Sequence, residues 1–324
     1  MLRELGRSGI AVSAVGFGCW PIGGAIVEDG RSVGWGDVDD RESIRALHRA
    51  IDLGVTLFET ADVYGRSEEL LGRAFAHRRG DVVFATKFGK TYDRERNEIT
   101  GVDLTPEHMR RALEGSLRRL RTDVIDLYQL HVDDCAADEA LALRDALEAL
   151  VQEGTIRAYG WSTNERDNAE LFAGGAGCAA IQHYLNVLEG TANVTRLCER
   201  EGLASINNGP LAMGLLTGKF RRDTRVSSVD VRGAGHPWMD SFEDGRPKDE
   251  YLDRVEAIRE LLTTGGRTVA QGAIAWLWAF SDVTIPIPGF KTVAQAEENA
   301  RALGLGPLPE RVMTEIARVL DRAA

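Results

Sequence analysis

The chain is poor in the residues that would staple or anchor a protein. It has four cysteines among 324 residues, Cys19, Cys135, Cys178 and Cys198. None forms a C-x-x-C pair and no histidine stands at metal-ligand spacing from any of them, so neither a disulfide scaffold nor a metal site is expected. Reduced thiols and a cytoplasmic setting fit that usage. Long apolar runs are missing too. The longest, residues 273–280, falls far below the ~20 residues a membrane-spanning helix needs, and the opening Met1-Leu2-Arg3-Glu4-Leu5-Gly6 lacks the apolar core of a signal peptide. Basic residues are outnumbered, 39 Lys and Arg against 50 Asp and Glu, for a formal charge of −11. That balance argues against a nucleic-acid partner, because affinity for a phosphate backbone comes mainly from Lys and Arg.

What is present is a globular composition, 44% hydrophobic and 27% charged, with a regular alternation along it. Short apolar runs at 12–17, 55–59, 82–87, 124–130, 156–161, 179–182, 203–207 and 283–287 read as eight strands. Most are continuously apolar, as parallel strands buried on both faces must be. Amphipathic segments separate them. Ile44, Leu47 and Ile51 share one helix face, and Gly54 suits the position just past its end. Thr105-Pro106-Glu107 reads as a cap, a proline at the first helical position and an acid in the first turn. Met109, Leu113, Leu117 and Leu120 follow as a buried stripe. Leu143, Leu147, Leu150 and Val151 repeat the pattern before Gly154. Eight strand–helix units predict an α/β fold, a (β/α)8 barrel, as one domain over residues 1–324.

Two segments break the rhythm. Residues 2–5 and 10–12 flank Gly6-Arg7-Ser8-Gly9 and predict an N-terminal β-hairpin. Residues 221–248, rich in Gly, Asp and Arg, form a long loop after the seventh strand, where a barrel keeps its active-site mouth.

Barrel chemistry gathers at the C-terminal strand ends. There stand Glu59 after the second strand with Tyr64 just beyond, Lys87 after the third, and His131 after the fourth. A phenol, with a reference pKa of about 10, is a poor acid at neutral pH unless its phenolate is stabilised. A neighbouring ammonium would do that, a carboxylate would hold the ammonium, and an imidazole could orient a carbonyl oxygen. Such a site can protonate an oxyanion that forms when hydride reaches carbon, with the hydride drawn from a cofactor. The other histidines, His48, His77, His108, His183 and His236, read as surface or core.

Several stretches carry a resemblance across nearly the whole chain. They are Phe58-Glu59-Thr60-Ala61-Asp62-Val63-Tyr64-Gly65, Ala85-Thr86-Lys87, Tyr128-Gln129-Leu130-His131, Gly160-Trp161-Ser162, the run from Gly209-Pro210-Leu211 to Thr217-Gly218-Lys219, and Ile287-Pro288-Gly289 leading to Glu298-Asn299. The chain resembles the aldo-keto reductase superfamily. The resemblance implies a barrel that uses NADPH, with NADH second, to reduce the carbonyl of a small molecule: an aldehyde, ketone or sugar. It makes Tyr64 the proton donor, Lys87 the catalytic lysine and His131 the orienting histidine, with Glu59 where the family usually has Asp. It assigns Ser162, Thr163 and Gln182 to the nicotinamide carboxamide, although Thr163 stands where Asn is common and Asn208 where a Tyr often stacks. Cys19 and Trp20 would lie along the nicotinamide. Gly209, Leu211 and Gly214 would approach the pyrophosphate, and Gly289, Lys291, Gln295, Glu298 and Asn299 the adenosine end. No metal is implied. The same barrel also serves nucleotide-sensing binding proteins, and enzymes of sugar epimerisation, dehydration or enoyl reduction.

Overall fold

Eight parallel strands ring the centre of the computed structural model, which describes residues 1–321. They are β1 (Phe17–Gly18), β2 (Leu57–Glu59), β3 (Val83–Phe88), β4 (Ile125–Leu130), β5 (Ile156–Ser162), β6 (Cys178–Tyr184), β7 (Ala204–Asn208) and β8 (Thr284–Pro286). Each pairs with its neighbour in chain order. The ring closes where Gly16 N donates to Pro286 O at 3.0 Å and Gly18 N to Pro288 O at 3.1 Å. The expected (β/α)8 barrel is therefore observed.

The continuous apolar runs have a direct cause, since every residue of β3 and β4 is buried. One set of side chains, including Leu57, Val83, Leu127, Ile206 and Ile285, fills the barrel interior. The alternate set, including Phe58, Phe84 and Tyr128, meets the surrounding helices. Those helices end as the sequence implies. Thr105 caps Pro106–Leu120 by accepting from His108 N at 3.2 Å, and Gly54 and Gly154 follow their helices at φ +90° and +77°, a backbone state that suits glycine.

The hairpin is present, with Leu2–Glu4 antiparallel to Ala11–Ser13, and it plugs the N-terminal end of the barrel. Leu5, Ile10 and Val12 join the interior cluster. The Arg7 guanidinium donates to the carbonyls of Ala173 at 2.7 Å and Cys178 at 3.0 Å. At Gly6 a Cβ would stand 2.1 Å from Ala179 O, so only glycine lets the turn seat.

The first barrel strand needs correction. The run 12–17 serves two elements: Val12 belongs to the hairpin, and the barrel begins only at Phe17. Close packing accounts for the short strand, because a Cβ at Gly18 would sit 2.9 Å from Ile287 O. A small sheet was also not foreseen. Its strands run Arg31–Ser32, Val27–Glu28, Glu98–Val102, Lys90–Asp93 in spatial order. The long segment 221–248 lies against it: Val231 N donates to Gly34 O at 2.8 Å, Ser32 Oγ to Val229 O at 2.7 Å and Arg31 to Gly235 O at 2.9 Å. Among the described residues no helix is long and apolar enough to cross a membrane.

On the outer face of β6, His183 is wholly buried, with Nδ1 2.8 Å from Thr191 Oγ1 and Nε2 2.7 Å from Ser205 Oγ. Burial pushes its pKa down to about 3, against about 6.5 in an unfolded chain. Between those values the unfolded state holds a proton that the folded state refuses, so stability present above pH 6.5 is lost as pH falls towards 3. We expect this group alone to cost about 2 kcal/mol between pH 7 and pH 5. Urea unfolding at the two pH values checks it. The difference should shrink by that amount in His183→Gln, and an unchanged difference would show that this imidazole titrates alike in both states.

Candidate active site

The four expected catalytic side chains meet at the C-terminal rim. Glu59 ends β2, Lys87 lies near the end of β3, and His131 follows β4, so adjacent strands deliver them side by side. Tyr64 reaches the same point from the turn beyond Glu59. The Lys87 ammonium donates to Tyr64 Oη at 3.1 Å and to Thr60 O at 2.9 Å, and forms an ion pair with Glu59. The Tyr64 hydroxyl lies 3.5 Å from His131 Nε2. Trp20 stacks on the Tyr64 ring at 5.9 Å between centroids, and fixes its plane.

The protonation states follow from burial. Burial is the largest influence on Tyr64 and raises its pKa; Lys87 pulls the other way and does not win. The expectation that the ammonium would leave the phenol more acidic than usual is thereby corrected, since enclosure by the protein outweighs the ammonium even though Tyr64 borders the cavity. Tyr64 thus holds its proton at neutral pH. Burial draws Lys87 down, but Glu59 and then Tyr64 outweigh it, and the net direction is up, so the ammonium stays charged. Burial, then Lys87 and Lys90, press His131 well below the usual imidazole value. It is neutral, able to present Nε2 to an oxygen beside the Tyr64 hydroxyl, while its Nδ1 has no partner among the described residues.

A cavity of about 970 Å³ opens over this cluster and is walled by Glu59, Tyr64 and His131. Lys87 stands behind the wall, fully buried. Loops after β1 to β4 supply one side, with Trp20, Trp35, Lys90 and Asp133; loops after β5 to β8 supply the other. Ser162 and Gln182, in register on β5 and β6, line the second side, as do Thr163, Gly209, Leu211, Gly214, Gly289, Lys291, Gln295, Glu298 and Asn299. Two assigned residues differ from expectation. Cys19 is not in the wall; it is fully buried on the helix-facing side, its thiol bonded to Phe17 O at 3.6 Å and pushed far up in pKa by burial and then by Glu59. Strand alternation turned its sulfur away. Thr163 lines the cavity, but its hydroxyl is committed to Asp133 O at 2.5 Å.

The far end of the cavity is cationic. Lys219, Arg232 and Lys291 line it; burial is the largest influence on both lysines and lowers their pKa, Arg232 adds to that, and Asp230, paired with Arg232 at 2.6 Å, opposes it. The Lys291 ammonium donates to Trp35 O at 2.8 Å, and Arg232 lies over the Trp35 ring at 4.7 Å. Beside this cluster the backbone turns through Met213 at φ +53° and Gly214 at φ +93°. A Cβ at Gly214 would stand 3.3 Å from Arg232 Nη1, so the bare backbone leaves the guanidinium room. Three cations, an open backbone turn and an amide-lined middle fit an elongated anionic dinucleotide. Lys219 and Arg232 escaped the sequence reading. Lys219 lay inside a run quoted for its resemblance, whereas Arg232 sits in an aperiodic segment that carries no signal. Asn164, one position beyond Thr163, also lines the cavity, with Oδ1 accepting from Tyr184 N at 2.8 Å. No group of metal-binding side chains occurs among the described residues.

Known proteins share this arrangement of chain. The family model described as Aldo/keto reductase family matches residues 14–321. Among curated proteins, aldo-keto reductase YhdN of Bacillus subtilis is 31% identical, over 93% of this chain and 88% of its own length. Aldo-keto reductase yakc [NADP(+)] of Schizosaccharomyces pombe is 29% identical, over 99% of this chain and 92% of its own. Among solved structures, a glycerol dehydrogenase from Gluconobacter oxydans superimposes with a TM-score of 0.82 at 30% identity, covering 98% of this chain and 94% of that one.

Proposed function

This chain belongs to the aldo/keto reductase family of oxidoreductases, and on that premise we propose that it is an NADPH-dependent reductase of a small-molecule aldehyde, ketone or sugar carbonyl. The observation that carries the reading is the buried set of Tyr64, Lys87 and Glu59 with a neutral His131 at the cavity wall. His131 Nε2 donates to the carbonyl oxygen and orients it. Tyr64 gives that oxygen its phenolic proton, and the adjacent ammonium of Lys87 stabilises the phenolate left behind. Glu59 keeps Lys87 charged and in place. When bound, the nicotinamide supplies the hydride.

Ser162 and Gln182 would hold the carboxamide, with Thr163 serving by position rather than by its hydroxyl. Gly209, Leu211 and Gly214 would pass beneath the pyrophosphate. Lys219, Arg232 and Lys291 would take the phosphates, with Gly289, Gln295, Glu298 and Asn299 around the adenosine. Trp20 lies beside Tyr64 as apolar wall; Cys19 is not part of this set. The Lys291 ammonium, which gives only one of its donors to Trp35 O, favours the 2′-phosphate of NADPH, since a charge-assisted bond contributes roughly 1.5–3 kcal/mol. Titration of protein fluorescence with NADPH beside NADH tests the reading. We expect tighter binding of NADPH, with that preference falling about tenfold or more in Lys291→Ala, in keeping with the loss of such a bond. Binding of neither nucleotide would overturn the reductase assignment.

A further inference from the structure

Beneath the cavity floor lies a polar contact that the proton-transfer scheme leaves unused. Gln129 on β4 is paired in register with Lys87 on β3 and Gly160 on β5, and is fully buried. Its Nε2 donates to Gln182 Oε1 at 3.0 Å, and Gln182 Nε2 donates to Glu59 Oε1 at 3.1 Å. The same carboxylate oxygen takes the Lys87 ammonium.

The chemistry of the donors fixes these directions. A carboxylate only accepts, so Gln182 must turn its amine towards Glu59. Its oxygen then faces Gln129, which must answer with its own amine. The consequence is visible one atom further on, where Gln129 Oε1 is buried without a partner among the described residues. An orphaned acceptor is unfavourable, and a residue present for packing alone would not carry one. Gln182 lines the cavity and, between these two partners, keeps one N–H and one lone pair unused.

We propose that Gln129 is a positioning residue which, with Glu59 as the opposing partner, locks the Gln182 amide in the one orientation that reads a carboxamide in the cavity. Glu59 bars the half-turn that would exchange donor for acceptor, and Gln129 holds the oxygen end, which could otherwise swing about the bond to Glu59. The glutamate at position 59 belongs to the same device. Its Oε1 touches Lys87 and Gln182 together, and an aspartate would end one methylene short of Gln182. The inference rests on the nicotinamide reading given above.

The test uses the full chain and two probes, NADP⁺ and its 3-acetylpyridine analogue, in which a methyl replaces the carboxamide amine. Binding is followed by quenching of tryptophan fluorescence. Wild type should prefer NADP⁺ by about tenfold, the worth of one hydrogen bond in a buried site. Gln129→Met keeps the volume and removes the amine. It should weaken NADP⁺ by about threefold or more and the analogue hardly at all, so that the ratio falls, because an amide held at its Glu59 end alone presents its oxygen to the carboxamide amine less well. Its melting temperature should change little, since one orphaned acceptor, Gln129 Oε1, is removed while Gln182 Oε1 loses its donor. Glu59→Asp, which frees the half-turn, should collapse the ratio towards one, and the double variant should do no more than Glu59→Asp alone, the signature of two residues acting on one amide. Should Gln129→Met fail to fold, the ratio in Glu59→Asp decides. A wild-type ratio retained in the folded variant, or additive effects in the double variant, overturns the inference while leaving the reductase reading intact. Failure of wild type to bind NADP⁺ overturns both.

Discussion

Tyr64→Phe is expected to lower carbonyl turnover by about 10²- to 10⁴-fold, the range for removing a positioned general acid, while nucleotide affinity stays near that of wild type. The phenyl ring keeps the stacking partner of Trp20 and the apolar wall of the cavity. What disappears is the hydroxyl held between Lys87 and His131. Steady-state rates with any accepted carbonyl, set beside a fluorescence titration of the same protein, separate the two effects. Turnover retained in Tyr64→Phe would mean that the proton arrives from elsewhere, and the roles given to Lys87 and His131 would go with it.

The second large effect concerns stability. Lys87 and Glu59 form an ion pair with side chains 0% and 4% exposed. Removing one member of such a pair strands the other charge in the interior and typically costs about 3–5 kcal/mol. Lys87→Met should therefore lower the free energy of unfolding in urea by about that amount, and should abolish turnover as well. The double variant Lys87→Met with Glu59→Gln removes both charges and should recover most of the stability, though none of the activity. An unfolding midpoint unchanged in Lys87→Met would mean that the two groups are not both charged in the fold. This pairing of variants distinguishes a scaffold role from a chemical one at the same residues.

Much of this molecule was legible in its sequence for a geometric reason. A barrel collects the C-terminal ends of its strands on one rim, so polar residues ending consecutive apolar runs are bound to meet; Glu59, Lys87 and His131 could be brought together by counting strands. The direction in which Tyr64 is perturbed could not. It is decided by opposed influences, burial against a neighbouring ammonium, and only the fold shows which of them is larger. Cys19 failed for a smaller reason: position along the chain was clear, but the side on which its sulfur emerges depends on strand alternation just past a two-residue strand. Arg232 lies in a segment without periodicity and is placed by tertiary bonds, its guanidinium held by Asp230 at 2.6 Å and laid over Trp35. The hairpin of Lys90–Asp93 with Glu98–Val102 holds few apolar residues and so carries little strand signal in the sequence. Asn97 at φ +52° marks its turn, the kind of position where asparagine tolerates a left-handed backbone.

The hairpin of residues 2–13 seals the end of the barrel opposite the cavity, packing Leu5, Ile10 and Val12 into the interior while Met1 and Leu2 remain exposed. The molecule therefore has a blind end and a working end. Fixed to an electrode or a bead through that exposed edge, it would present its mouth outward on every copy, and a surface built this way would exchange small molecules with solution as freely as the protein does in free suspension.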